Sequence, residues 1–432
     1  MPQPVFHIDS SKAITRVIAV LALVASIAWS VLFVRWYIGN TLAEYLNPDA
    51  SSVDLLSMAV TLAPDDPLTH WRLAEFAEKK LPIDQIGAAV LEYEVAVALS
   101  PFDYRYWMAL GRALEQSGDI QRAEAALRRA VELAPYYSYP RWYLGNLLLR
   151  NERYDEAFAE LRLAGDADPE LRPQLFNLAW EVFKGDTPSL QSAVGTTAAA
   201  RAQFSLYSIG RGRIDDGLRL WFTLSEDERR ENLSTAQAVI DSLVNNGKHH
   251  HAATVWNGVA SQPSYQVAIG KILDGGFEDG SYSNASVFGW KIKSHPQAQI
   301  GIDRNNYREG RRSLRLVFQV GTNLTAFSIT QLVPVQPKTQ YIFRTFVKTQ
   351  RLQSAATPML SILDPATNRS IGDSSPAPTG DNDWQPVTVV FETGPDTEAI
   401  RLMVQRASCG ENEVCPMFGT VWYDDFNLKT GS

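Results

Sequence analysis

The chain has 432 residues, of which 45% are hydrophobic and 20% charged, and its formal net charge at pH 7 is −8. This composition is ordinary for folded domains and argues against a wholly disordered chain, while the length allows two or three domains. The negative balance argues against a general nucleic-acid-binding protein, because such proteins carry a clustered basic surface. The sequence patterns predict a multidomain chain with a transmembrane helix, an all-α region and an all-β region, in that order.

An uncharged segment of eighteen residues lies near the N-terminus, from Val17 to Val34. As a helix it would be about 27 Å long, close to the roughly 30 Å hydrocarbon core of a bilayer. Lys12 and Arg16 precede it and acidic residues follow, so the positive-inside rule predicts a cytoplasmic N-terminus and an exported body. The expected segments are a cytoplasmic N-terminus at 1–12 and a transmembrane signal anchor at 13–38.

The expected location is therefore the inner (cytoplasmic) membrane, crossed once, with the body in the periplasm or outside the cell. A cleaved signal peptide is the alternative, with Ser26-Ile27-Ala28 as the cleavage sequence. The apolar sequence continues past Ala28, which favours an uncleaved anchor.

The region from 51 to 262 is rich in Ala, Leu, Arg and Glu, and part of it repeats with a period of 34 residues. Small alanines at fixed positions let two antiparallel helices approach closely, a large residue fills the gap between them, and a proline ends each pair. Four columns keep this register: Ala89, Ala123 and Ala157; Tyr93, Leu127 and Leu161; Ala96, Ala130 and Ala164; and Pro101, Pro135 and Pro169.

This pattern resembles the tetratricopeptide repeat. The unit from Tyr104 to Pro135 carries the family's signature spacing best, whereas the next unit has Arg141 in place of the first tryptophan and Trp142 beside it. Residues 59–64 look like the end of an incomplete leading unit, and the first full unit after it carries an insertion predicted around 81–84 because Pro64 lies 37 residues before Pro101. Two stretches, Arg201–Leu224 and Ser234–Ala260, each predict two helices around a polar turn and continue the solenoid more weakly.

The resemblance implies a concave groove that binds a protein partner, built from the first helix of each pair. Mixed arginine, asparagine and aromatic side chains in this groove suit an extended chain with a carboxylate. The predicted groove residues are Arg105, Met108, Arg112, Tyr139, Trp142, Asn146 and Arg150.

Three consecutive histidines, His249, His250 and His251, invite a metal-site hypothesis. Consecutive residues of a helix point about 100° apart and cannot converge on one ion. We therefore predict no metal at this position.

The sequence changes character near Pro263, where alanine-rich helices give way to short β-branched and aromatic runs separated by Gly, Pro, Asn and Asp. Several runs alternate in polarity, as half-buried strands do. We predict a linker at 263–271 and, over 272–430, about eight strands forming a β-sandwich or jelly roll.

Six motifs in this half occur in a fixed order: Leu273–Glu278, Gly289-Trp290, Gly310–Leu316, Ile329–Val335, Asp383–Val387 and Val421–Leu428. Their order resembles that of the jelly-roll carbohydrate-binding modules attached to polysaccharide-degrading enzymes. The resemblance implies a structural Ca²⁺ that ties the first strand to the last, because carboxylates and backbone carbonyls suit this hard cation. The matching positions are Glu278 and Asp424, with carbonyls near Gly310, and with Asp425 as a substitute ligand.

The same resemblance implies a polysaccharide ligand. Three tryptophans, Trp290, Trp384 and Trp422, lie in motifs that usually serve the core. The candidate glycan contacts are instead Tyr282, Gln331, Arg344, Phe346 and Gln405.

The chain has two cysteines, Cys409 and Cys415, in the segment Cys-Gly-Glu-Asn-Glu-Val-Cys. This spacing fits no standard zinc pattern. A local disulfide is predicted because the domain is expected outside the cytoplasm, and two unpaired thiols are the alternative.

The sequence lacks the phosphate-binding glycine loop, the Gly-x-Ser-x-Gly elbow and the His-Glu-x-x-His helix. We therefore predict no enzyme, but a membrane-anchored scaffold or adaptor of the cell envelope, with a role in polysaccharide assembly or export. Its groove would bind protein, and its sandwich would bind envelope glycan or a second protein. The alternatives are a polysaccharide-processing enzyme with a targeting module and a structural subunit of a larger membrane assembly.

Overall fold

The structure is a computed structural model that describes residues 13–46, 53–80, 86–260, 263–279, 287–293, 295, 297–319, 326–406 and 416–431. The predicted insertion at 81–84, the candidate contact Tyr282 and both cysteines, Cys409 and Cys415, lie outside these residues. The chain divides into two compact units, Met1–Gly195 and Thr196–Ser432.

The described part of the first unit is helical, and its helices follow one another through short turns. Side chains cap several of them: Asp103 accepts a hydrogen bond from the Arg105 N–H, and Asp119 from the Arg122 N–H. The helices are α1 Ala13–Tyr45, α2 Val53–Leu62, α3 Pro67–Lys80, α4 Ile86–Leu99, α5 Tyr104–Gln116, α6 Ile120–Leu133, α7 Ser138–Arg150, α8 Tyr154–Ala167, α9 Arg172–Phe183 and α10 Thr187–Val194.

The repeated columns of the sequence form the contacts inside each helix pair. Ala123 and Leu127 of α6 are fully buried. They pack on Gly111 of α5 so closely that a Cβ atom at Gly111 would lie 2.6 Å from the Leu127 Cγ. Gly145 stands in the same relation to Leu161 one repeat later, at 2.7 Å. The period of 34 residues therefore encodes close helix packing.

A second repeated contact closes the turn before each first helix. The Trp107 indole N–H donates to the carbonyl of Pro101 at 2.9 Å, and the Arg141 Nε donates to the carbonyl of Pro135 at 3.1 Å. His70 contacts the carbonyl of Pro64 in the same way, at 2.9 Å. Arg141 thus replaces the expected tryptophan by supplying the same hydrogen bond.

The His70 ring makes a second hydrogen bond, from Nδ1 to the Glu92 carboxylate at 2.6 Å. This bond raises the pKa of His70 above its usual value, because a ring that donates through both nitrogens is the charged form. A raised folded-state pKa contributes stability that is fully present below about pH 6.5, the unfolded value, and is lost as the pH rises through the folded-state pKa.

We therefore expect the wild-type protein to lose stability relative to a His70→Gln variant when the pH rises from about 5.5 to about 9. The measurement is thermal unfolding of both proteins across this range. A constant difference between their melting temperatures would contradict the assignment, since glutamine does not titrate.

Helix α1 is long and apolar enough to cross a membrane, by its length and composition, and it is the one such helix in the described residues. Its last turns belong to the solenoid. A Cβ atom at Gly39 would lie 2.8 Å from the carbonyl oxygen of Ala59 and 2.8 Å from the Ala63 Cβ. The Asn40 amide donates to Asp66 at 2.7 Å. Thus α1 packs on α2 as the first helix of a pair.

The second unit begins with five helices. The predicted stretches Arg201–Leu224 and Ser234–Ala260 each contain two helices around a polar turn. The helices are α11 Ala198–Gly210, α12 Ile214–Phe222, α13 Glu226–Glu231, α14 Leu233–Asn245 and α15 His249–Asn257.

The rest of the second unit forms two antiparallel five-stranded sheets. Sheet I has the order β1-β4-β9-β6-β7, and sheet II has the order β2-β3-β10-β5-β8. Alternate residues of both sheets share one apolar core, which includes Ile329, Leu316 and Phe343. The strands are β1 Lys291–Ile292, β2 Gln299–Asp303, β3 Ser313–Phe318, β4 Ala326–Pro334, β5 Gln340–Gln353, β6 Pro358–Leu363, β7 Ser370–Asp373, β8 Gly380–Glu392, β9 Ala399–Arg406 and β10 Phe418–Thr430.

The helices of the second unit and its sheets share a second apolar core. Phe288, which precedes β1, is 1% exposed and packs in a cluster with Val255 of α15, and Leu332 of β4 packs against the same cluster. His250 adds polar contacts: its Nε2 donates to the Val335 carbonyl at 2.8 Å, and its backbone N–H donates to Glu398 at 3.1 Å. The helices therefore stabilise the sheets.

Candidate functional site

Two adjoining cavities lie along the first helices of the solenoid. The larger, of about 680 Å³, lies between α5 and α7, and the smaller, of about 500 Å³, lies beside α3 and α5. Both are lined by Arg112 and Gln116, so they form one groove. We call these two cavities together the groove.

Six of the seven predicted groove residues line these cavities. Arg105, Met108 and Arg112 line the smaller one. Arg112 also lines the larger cavity, together with the predicted residues Trp142, Asn146 and Arg150. Tyr139 lies in the first turn of α7, 53% exposed and outside both cavities.

Each arginine of the groove is paired with a carboxylate. Arg112 contacts Glu78 at 2.8 Å, and Arg150 contacts Glu115 at 2.6 Å. Arg105 contacts Asp103, the cap of its own helix, at 2.5 Å. These arginines therefore already have carboxylate partners within the chain, and binding of a ligand carboxylate in the groove stays a prediction.

Glu78 organises the polar floor of the groove. Its carboxylate is nearly buried and accepts hydrogen bonds from Arg112, from the Tyr93 hydroxyl at 2.8 Å and from the Gln116 amide at 3.1 Å. Burial, together with this carboxylate, raises the pKa of Tyr93 and keeps its hydroxyl protonated as a donor. Sequence reasoning missed Glu78, although it lies one period of 34 residues before Arg112.

The groove also offers apolar and amide surface. The Arg112 guanidinium lies 5.2 Å from the Tyr143 ring centre, and the half-buried Trp142 lies beside it in sequence. The Asn146 amide donates to the Trp142 carbonyl at 2.8 Å, which fixes that side chain on the groove wall. An aromatic wall above a neutral, satisfied polar floor suits a peptide better than a small charged ligand.

The residues predicted to bind calcium meet at the loop 308–312. Their carboxylates accept hydrogen bonds from backbone N–H groups of this loop. Glu278 accepts the backbone N–H of Arg311 at 2.6 Å and of Arg312 at 2.9 Å. Asp424 is fully buried and accepts the N–H of Arg308 at 2.7 Å. Burial raises the pKa of Asp424, and these N–H donors oppose that effect.

These residues do not fit a calcium ion in this arrangement. The remaining oxygen of Asp424 accepts the Asp425 N–H at 2.7 Å, and the Asp425 carboxylate contacts the Arg308 guanidinium at 2.8 Å. A Cβ atom at Gly310 would lie 2.2 Å from Glu278, so only glycine fits there. Among the described residues, no three His, Cys, Asp or Glu side chains gather as a metal site requires. Calcium stays a prediction that metal analysis of the purified protein would test.

The candidate glycan contacts that the structure describes do not share a surface. Gln331 is 1% exposed, faces the interior and donates to the Leu273 carbonyl at 2.7 Å. Arg344 and Phe346 alternate with core residues of β5 and lie on the outer face of sheet II. Gln405 alternates with core residues of β9 and lies on the outer face of sheet I, bonded to Ser361. The described candidates therefore do not form one site, and a role of individual residues in glycan binding stays a prediction.

Trp290 and Trp422 are buried as predicted, whereas Trp384 is half-buried. The Trp290 indole N–H donates to the Asp274 carbonyl at 3.1 Å, and the Trp422 indole N–H donates to Asp303 at 2.7 Å. Two of the three consecutive histidines are held by the surrounding structure. His249 is buried, and burial lowers its pKa, while His250 bonds to the strands.

The sequence matches the tetratricopeptide repeat family at residues 84–138 and 114–179. Residues 84–179 therefore match tetratricopeptide repeats, a family that typically provides non-enzymatic scaffolds for protein interaction. No curated protein matches the sequence.

Several solved structures are similar to parts of the chain. They include MamA, at 16% identity over 45% of this chain and 89% of that protein, with a TM-score of 0.27. Another is PilF of Pseudomonas aeruginosa, at 14% identity over 50% of this chain and 98% of that protein, with a TM-score of 0.32. A third is a carbohydrate-binding module with xylanase 10B of Clostridium thermocellum, at 15% identity over 38% of this chain and 29% of that protein, with a TM-score of 0.26. Similarity this low carries no functional argument.

Proposed function

We propose that this chain is a membrane-anchored, exported scaffold that binds a partner protein in its groove. The observation that carries the proposal is the aromatic groove wall above a floor whose charges are all paired, within tetratricopeptide repeats. The apolar helix α1 and the charges around it support an inner-membrane anchor with the body on the exported side.

The neutral floor defines the partner's chemistry. A peptide segment that buries a bulky apolar side chain against Trp142, and bonds to the amides of Asn146 and Gln116, would need no net charge. Burying an unpaired acidic side chain here would cost free energy, since Arg112 and Arg150 already have partners.

The same proposal gives the two-sheet domain a role in binding envelope polysaccharide or a second protein, with polysaccharide assembly or export as the process. The support is the motif order that resembles jelly-roll carbohydrate-binding modules. On the outer face of sheet II, the guanidinium groups of Arg308 and Arg344 lie 3.4 Å and 4.8 Å from the centre of the Phe346 ring. Sugars bind through such aromatic and polar groups, although Phe346 is largely covered.

We expect a Trp142→Ala substitution to raise the dissociation constant for the partner at least tenfold. Truncating a tryptophan buried in an interface often costs about 2 kcal/mol of binding free energy or more, which corresponds to about a thirtyfold weaker affinity. The partner is first identified by cross-linking the full chain in its own membranes, and then titrated against purified variants in mild detergent. Tyr154→Ala is the matched control, since this aromatic residue is 40% exposed outside the groove. Equal affinities for the two variants would remove the groove from the proposed function.

A further inference from the structure

The turns that follow the second helix of each pair lie along one edge of the solenoid. We name it the proline edge, after Pro64, Pro101 and Pro135. Consecutive helices joined by short turns run antiparallel, so α2, α4 and α6 all end at this edge. The repeated hydrogen bonds to the three proline carbonyls hold these turns in the same conformation.

The position of the proline edge follows from the way α1 joins the solenoid. The apolar segment of α1 ends at Val34, and the next residue, Arg35, donates to the carbonyl of Thr61 at 3.0 Å, near the end of α2. Helix α2 therefore runs back toward the apolar segment and ends beside Arg35. Antiparallel alternation places the following two turns on the same side. The proline edge thus faces the end of the apolar segment.

This edge carries exposed aromatic side chains. Phe102 is 80% exposed in the second turn, and Tyr136 and Tyr137 are 90% and 60% exposed in the third. Tyr139 adds a fourth, and the Tyr104 ring lies 5.1 Å from that of Tyr137. Exposed aromatic groups concentrated in one region mark a binding surface. Tyrosine and phenylalanine rings are suited to the headgroup region of a bilayer, where an apolar ring meets water.

We propose that the proline edge rests on the surface of the membrane that α1 crosses, with Phe102, Tyr136 and Tyr137 among the lipid headgroups. This inference rests on the membrane anchor of the proposed function. The membrane is favoured as the occupant because the edge is continuous with the end of the apolar helix. The charges at its second turn, Asp103 and Arg105, neutralise each other and do not oppose contact.

The test places a photo-cross-linking residue, p-benzoylphenylalanine, at single positions of the full chain. Each variant is reconstituted in vesicles of phosphatidylethanolamine and phosphatidylglycerol, irradiated and analysed for lipid adducts by mass spectrometry. Tyr136 and Phe102 are the test positions. Tyr154, just after the turn on the opposite edge, is the matched control, and Phe33 in the apolar segment reports insertion.

We expect lipid adducts at Phe102 and Tyr136 at least fivefold above those at Tyr154. Adducts at Phe33 with equal yields at Tyr136 and Tyr154 would overturn the inference and leave the anchor intact. Adducts to protein rather than lipid at Tyr136 would also overturn it, because a protein would then cover the edge. Absence of adducts at Phe33 would show that the anchor itself fails, and the inference would fail with it.

Discussion

A Gly39→Ala variant should lose about 1–3 kcal/mol of stability, because its Cβ atom has no room between α1 and α2. The atoms it would meet are the carbonyl oxygen of Ala59 at 2.8 Å, the Ala63 Cβ at 2.8 Å and the Ala63 backbone nitrogen at 2.9 Å. Backbone cannot rotate away as a long side chain can, so α1 must move off α2. Thermal unfolding of the full chain in mild detergent measures the loss.

Gly87→Ala adds the same atom in another helix, α4, and serves as the control. A Cβ atom there meets nothing within 4 Å. Alanine also favours helix over glycine by up to about 1 kcal/mol, so this variant should unfold at or above the wild-type temperature. If Gly39→Ala and Gly87→Ala unfold together, then α1 is not packed on the solenoid as described.

The two-sheet domain made alone, as residues 263–432, should be less stable than the whole second unit, residues 196–432, by more than about 3 kcal/mol. Removing the helices exposes Phe288 and Leu332 and takes away the contacts of His250 with Val335 and Glu398. Full burial of one large apolar side chain contributes about 1.5–3 kcal/mol, and several are uncovered here. Urea unfolding of the two fragments measures the difference.

A point substitution tests whether a loss of stability comes from the missing contacts or from the place where the fragment was cut. His250→Ala in the 196–432 fragment removes the ring's hydrogen bond to the Val335 carbonyl and should cost about 1 kcal/mol or more. His251→Ala is the matched control, because this neighbouring side chain is exposed. Equal stability of the 263–432 and 196–432 fragments would show that the sheets do not depend on the helices.

Much of the fold could be predicted from local patterns. The columns headed by Ala89, Tyr93 and Ala96 predicted the helix pairs, and alternating polarity predicted β9 at Ala399–Arg406 with its observed bounds. Short or less periodic elements escaped prediction: α10 has eight residues and β7 has four. Segments of this length contain too few positions to show a period, and their conformation depends on tertiary packing.

The candidate sites were harder to predict from the sequence than the fold. Most groove residues could be predicted because position in a repeat determines which way a side chain points, and the same register could have revealed Glu78 beside Arg112. The glycan candidates could not be grouped, since Arg344 and Gln405 lie on strands of different sheets and only the strand order reveals this. The contacts of the loop 308–312 likewise could not be predicted from the sequence, because its N–H groups donate to a carboxylate more than thirty residues away.

The continuity of α1 with the first helix pair also determines how a partner would reach the groove. A module on a flexible linker sweeps a volume set by the linker length, and its local concentration at a target changes with that length. A continuous helix provides no such slack when it crosses a bilayer. The groove would then move with the helix by lateral diffusion and stay at one height and tilt. Selection among partners would depend on whether their own anchors present a peptide at that height, so geometry would contribute to specificity before any contact forms.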